Sequence, residues 1–143
     1  MSTLGISGTA PLGSRLIIHL TVNATCVYFG PMKALFVELP AFIRYRSEYL
    51  TDEAFRGLQN ALLKDPEAGD VITGTGGLRK VRHGDVKRGK GKRGGLRVIY
   101  FWWEPKRQFW LFTLYDKDEL DDLSPKEKAV LKTLLKQELE ERK

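Results

Sequence analysis

The chain has 143 residues, enough for one domain with a single core and too few for two. Its hydrophobic fraction of 42% beside 29% charged residues excludes a disordered chain, and its one cysteine, Cys26, excludes a disulfide framework and a cysteine-rich zinc site. A net charge of +6 points to a polyanionic partner, although charge alone specifies no activity.

The most apolar stretch near the start is Leu16-Ile17-Ile18-His19-Leu20-Thr21-Val22, which His19 and Thr21 interrupt. It falls well short of the roughly 18 apolar residues of a membrane span. As a signal peptide it is poor, with only Arg15 ahead of it and no small-x-small site at a sensible distance before Met32. A cytoplasmic protein is expected, and a lone cysteine fits a reducing compartment. Residues 1–31 hold no Asp, Glu or Lys and are rich in Gly, Ser and Thr, whereas the chain from Met32 onward is dense in charge. The reading is a non-essential extension, or the product of an upstream start, over 1–31, and a folded unit over 32–143. The alternative is an extra edge strand over residues 16–22, which their β-branched content permits.

From Met32 the pattern predicts a strand over residues 35–39, closed by Pro40, and a helix over 41–50 with Phe42, Tyr45 and Tyr49 on one face. Thr51 is a candidate N-cap, with Asp52 and Glu53 suited to the positive end of the helix it starts. That helix carries Ala54, Phe55, Leu58, Ala61 and Leu62 at helical spacing and stops before Pro66. A strand over 78–82 leads into a Gly-rich basic loop. Strands over 96–103 and 109–115 then flank a turn at residues 104–108. Ser124-Pro125-Lys126-Glu127 is a capping box that opens a last helix, with Val130, Leu131, Leu134 and Leu135 facing inward and residues 136–143 solvated. The order β-α-α-β-β-β-α implies one α+β domain, an antiparallel sheet with helices packed against it.

Chemistry concentrates between residues 79 and 97. Nine cations (Arg79, Lys80, Arg82, Lys87, Arg88, Lys90, Lys92, Arg93 and Arg97) stand there against one acid, Asp85. Five glycines among them let the backbone approach a ligand closely, and such a loop can follow a phosphodiester chain. The plainer reading is a solvated loop whose charge prevents edge pairing. Gly89-Lys90-Gly91-Lys92-Arg93-Gly94-Gly95 lacks the spacing of a nucleotide-binding Walker loop. With only two histidines, His19 and His83, a paired-histidine ribonuclease is excluded unless residues 1–31 fold over the site, and no Ser-His-Asp set or zinc-ligand cluster can be assembled. Chemistry must rest on Lys, Arg, Tyr and Asp. Arg97, between Leu96 and Val98 in a strand, projects from a sheet face either as a site residue or as one half of a surface salt bridge. The aromatics Tyr100, Phe101, Trp102, Trp103, Phe109, Trp110 and Phe112 read mainly as core packing rather than base-stacking surfaces.

Three stretches resemble HigB-type toxins of the RelE/ParE superfamily. They are Gly74-Thr75-Gly76-Gly77-Leu78-Arg79-Lys80-Val81-Arg82, then Gly89-Lys90-Gly91-Lys92-Arg93-Gly94-Gly95-Leu96-Arg97-Val98-Ile99-Tyr100-Phe101, then Leu111-Phe112-Thr113-Leu114-Tyr115-Asp116-Lys117. The resemblance covers 32–143 and none of 1–31. It implies a RelE-like fold and a ribosome-dependent mRNA endonuclease without cofactor or metal, neutralised by a cognate antitoxin, a helix-turn-helix protein of the HigA type. By the same resemblance Arg97 binds the scissile phosphate, Lys80 and Arg82 hold phosphate and abstract a proton, and Tyr115 and Lys117 supply stacking and charge. Lys87, Arg88, Lys90, Lys92 and Arg93 bind RNA. The chain departs from the family pattern at Arg82, too basic to serve as a proton acceptor where many relatives have Lys, and at Asp118, where they often have Arg. A ParE-like gyrase inhibitor without nuclease activity is the alternative on the same scaffold, and a non-catalytic nucleic-acid-binding module is a third reading.

Overall fold

The computed structural model describes residues 22–84, 95–120 and 122–142. Two strands come first, β1 (Asn23–Phe29) and β2 (Met32–Glu38), followed by helices α1 (Pro40–Tyr49) and α2 (Asp52–Lys64). The chain continues through β3 (Asp70–Val71), β4 (Arg79–His83), β5 (Leu96–Trp103), a 3₁₀ turn (Glu104–Lys106), β6 (Gln108–Asp116) and α3 (Pro125–Arg142). The result is one α+β domain with a six-stranded sheet in the order β1-β2-β6-β5-β4-β3. No helix among the described residues is long and apolar enough to cross a membrane.

The sheet is mixed rather than wholly antiparallel, because β2 and β6 run parallel, Phe36 opposite Phe109. The cause is connectivity. After β2 the chain passes through both helices to the far edge of the sheet, and the β4-β5-β6 meander returns β6 to β2 in the same direction. The pair is therefore the one not joined by a short connection, and parallel pairing needs such a crossover.

The composition break at Met32 does not mark the start of the sheet. β1 pairs with β2 along its whole length, from Asn23 opposite Glu38 to Phe29 opposite Met32. Gly30, at φ 59°, supplies the left-handed residue of the two-residue hairpin turn with Pro31. Val27 and Phe29 pack against the core, while Tyr28 is 65% exposed. This strand lies C-terminal to the alternative suggested at 16–22, and residues 1–21 fall outside the described residues.

Each face of the sheet has its own apolar cluster. Phe36, Leu96, Val98, Tyr100, Phe109, Leu111 and Leu114 face α1 and α2, meeting Phe42, Phe55, Leu58 and Leu62. Val37, Ile99, Trp110, Phe112 and Tyr115 face α3, meeting Leu131 and Leu135. A bulge lets β6 serve both clusters. Ile99 faces Thr113 but Tyr100 faces Leu111, so Phe112 is the additional residue and the alternation restarts beyond it. Both caps form as the sequence indicates. Thr51 Oγ1 accepts from the Ala54 amide at 3.0 Å, and Ser124 and Glu127 exchange side-chain bonds with each other's amides at 3.1 and 3.0 Å. The end of α3 is not wholly solvated, for Glu138 is buried and holds Arg142 at 2.8 Å while Arg142 lies over Trp110. Of its expected inward face, Leu131 and Leu135 are buried, and Val130 and Leu134 are partly exposed.

Candidate functional site

The first of the three resembling stretches owes its glycines to a turn. Gly74, Gly76 and Gly77 all have positive φ, at 85°, 82° and 125°, where a side chain would be strained. Between them Thr75 is fully buried, donating to the Ile72 carbonyl at 2.7 Å and accepting from the Leu78 amide at 3.2 Å. This turn closes β3 onto β4. Just before β3, Gly69 presses against β4 so closely that a Cβ there would come within 2.9 Å of the Lys80 backbone. Tyr100 fixes the same segment, its hydroxyl donating to the Pro66 carbonyl at 2.8 Å and accepting from the Gly69 amide at 3.0 Å. Burial pushes the Tyr100 phenol pKa up, which keeps the hydroxyl protonated and donating.

Strand register then aligns the cations. Arg82 faces Arg97 across β4 and β5, and Arg97 faces Tyr115 across β5 and β6, so three of the expected residues form one row across three strands. Lys80 faces Ile99, two residues along from Arg82, which puts it on the same face, the one covered by α3. The row grades from buried to exposed. Tyr115 is 5% exposed and packs in the apolar cluster beneath α3, Arg97 is 6% exposed, and Arg82 is exposed at the rim. Tyr115 is thus a core residue beneath α3, and its ring is not presented for stacking. The Arg97 guanidinium donates to the Leu96 carbonyl at 3.2 Å. Like charges facing each other on adjacent strands destabilise a sheet, so the Arg82–Arg97 pairing is a feature that packing alone does not favour.

Lys80, Arg82 and Arg97 line a cleft of about 590 Å³ with Ala68, Asp70, Val81, Lys117 and Asp122; Tyr115 is not part of its lining. Lys117 follows β6 and is exposed; its amide donates to the Gly95 carbonyl at 3.3 Å, which ties it to the start of β5. Its loop is held further by Asp116, which is fully buried and accepts from the Asp118 amide at 2.8 Å, and by Tyr49, which donates to Glu119 at 3.0 Å. Lys80, Arg82, Arg97 and Lys117 therefore line one space, while Tyr115 is beside Arg97 in strand register but outside the lining. Two acids share it that sequence reasoning did not place there. Asp70 comes from the two-residue β3, too short to show a hydrophobic period. Asp122 comes from the segment entering α3 and meets the Lys80 ammonium at 3.3 Å. The Leu123 amide, and after it the Lys80 charge, hold the Asp122 carboxyl below the usual carboxylate range.

His83 turns away from the cleft, its Nε2 3.3 Å from the Ala54 carbonyl of α2. No group of three or more His, Cys, Asp or Glu side chains that could hold a metal ion occurs among the described residues. Lys87, Arg88, Lys90, Lys92 and Arg93 lie outside the described residues; by sequence they belong to the segment joining β4 to β5, the ends that carry Arg82 and Arg97. Chemically, the cleft offers cationic hydrogen-bond donors for a phosphodiester. No family model matches the chain.

Proposed function

We propose that this chain is the toxin of a type II toxin–antitoxin pair, a ribosome-dependent mRNA endonuclease of the RelE/HigB kind. Its partners in this reading are the translating ribosome with its mRNA and a HigA-type helix-turn-helix antitoxin. The observation that carries it is the Arg82–Arg97–Tyr115 row, with Lys80 and Lys117 lining the same cleft. An RNA strand supplies its own nucleophile there. The ribose 2′-oxygen attacks the adjacent phosphorus, the bond from phosphorus to the following 5′-oxygen breaks, the 2′-hydroxyl loses its proton and the 5′-oxygen gains one. The products are a 2′,3′-cyclic phosphate and a 5′-hydroxyl.

Arg97 stabilises the charge that grows on the phosphoryl oxygens, and being nearly buried it acts where water screens least. Arg82 and Lys117, both exposed, hold the flanking phosphates. A site working through charge and position is slow by itself and gains most from a ribosome that presents the mRNA already oriented. The test adds purified protein to ribosomes programmed with a defined mRNA and maps the new 5′ ends and their end groups. Cuts dependent on the ribosome, leaving 5′-hydroxyls, are expected. Growth inhibition without RNA cleavage, together with inhibition of gyrase supercoiling, would overturn this reading in favour of the gyrase inhibitor.

A further inference from the structure

The cleft cations have an anion among them already. Asp122 reaches across from the segment entering α3 to the Lys80 ammonium on β4 at 3.3 Å. Its carboxylate shares with a phosphodiester two oxygens that carry one negative charge between them. Its side chain is 57% exposed, and it is tied to the backbone through the adjacent Leu123 amide at 2.7 Å. Such a pair is weak and exchangeable in water. Meanwhile Arg82 faces Arg97 with Lys80 on the same face, a like-charge arrangement that nearby negative charge relieves.

We propose that Asp122 is a built-in competitor for phosphate. It neutralises Lys80 while the cleft is empty, and the phosphodiester of a bound RNA displaces it and takes the ammonium. The inference rests on the cleft being an RNA site and adds a residue that sets its affinity. A single small anion gains little by exchanging one anion for another at Lys80, whereas a strand that also engages Arg82 and Lys117 gains enough to displace the Asp122 carboxylate. Asp122 thereby favours polyanions over free phosphate.

The test is calorimetric titration of a 2′-O-methyl oligoribonucleotide, which cannot be cut by its own 2′-oxygen, and separately of inorganic phosphate. Asp122→Asn should bind the oligonucleotide about three- to tenfold more tightly than wild type, from loss of the competing pair and of one repelling charge. Inorganic phosphate should gain proportionally more, narrowing the preference for the polymer. Asp122→Glu should stay near wild type. In a Lys80→Ala background the effect of Asp122→Asn should fall below about twofold. If Asp122→Asn melts early, Asp122→Ser repeats the comparison. Equal or weaker oligonucleotide binding by the neutral variants would overturn the proposal and make Asp122 a brace for Lys80. Because the probe is uncleavable, absence of mRNA cleavage would sink the nuclease reading and leave this one standing, and the reverse holds equally.

Discussion

Replacing Arg97 by Ala separates catalysis from stability, because a variant that stays folded shows the rate effect alone. The side chain is buried and its bonds to the Leu96 and Gly95 carbonyls, at 3.2 and 3.5 Å, are long. Good hydrogen bonds from a charged donor contribute about 1.5–3 kcal/mol, so these stand at or below the lower end. Removing the guanidinium also relieves the facing Arg82, a gain of about 0.2–1 kcal/mol. With the void left by the side-chain stem, the net loss should be about 2–4 kcal/mol, a fall of roughly 10 °C or more in melting temperature for a domain this size. A domain stable by about 5–15 kcal/mol remains folded after such a loss. Loss of a donor to transition-state charge costs about 10²–10³ in rate, roughly 2.7–4 kcal/mol of barrier. Arg97→Lys should recover only part of this, since an ammonium cannot form two parallel bonds to a phosphate. The assay is single-turnover cleavage on programmed ribosomes for the three proteins, with thermal melts alongside. Wild-type cleavage by Arg97→Ala would refute the reasoning, and so would a rate loss accounted for by the unfolded fraction.

A chain beginning at Met32 should fold and cleave RNA, with a lower melting temperature because β2 loses one of its two partner strands; insolubility or inactivity would show that β1 is integral. Replacing Lys90, Lys92 and Arg93 together by Ala should lower the log–log salt slope of ribosome binding by roughly one unit per lost phosphate contact, and an unchanged slope would make the segment plain surface. Stability should fall as pH rises above about 10, where tyrosines in the unfolded chain ionise. Burial raises the Tyr100 pKa, and burial followed by Glu119 raises that of Tyr49, so the native state then holds more protons than the unfolded one and loses ground with each unit of pH. Urea melts at pH 9 and 10.5 should show a smaller difference for Tyr49→Phe/Tyr100→Phe than for wild type.

The sequence was most legible where local chemistry decides structure. β5 spans the residues that the apolar run predicted, and the Thr51 and Ser124 caps form because each needs only a short, adjacent set of residues. β1 leaves no such signal: the absence of Asp, Glu and Lys suggests material outside the fold, whereas an edge strand needs no charge to pair. The parallel β2–β6 pairing was not legible, since its register depends on a crossover set by the whole chain. In the cleft, strand positions carried the information. Arg82, Arg97 and Tyr115 fall in line through the meander, while Asp70 and Asp122 arrive from separate segments whose pairing with cations no local pattern encodes. Glu138 reads as surface in a charged tail and is buried because Arg142 closes over it.

The parallel junction between β2 and β6 also bears on how the chain reaches its native state. The β5–β6 hairpin closes a short turn, so its ends meet at little entropic cost. Phe36 must find Phe109 across nearly all the intervening chain. On a growing polypeptide β2 leaves the ribosome well before its partner strand has been synthesised, with Phe36 and Val37 lacking the neighbour that will bury them. The elements that build the Arg82–Arg97–Tyr115 row are, by contrast, close together in sequence and can form as a unit. Folding would then set the Arg82–Arg97–Tyr115 row by local strand pairing and complete the sheet at the β2–β6 junction last.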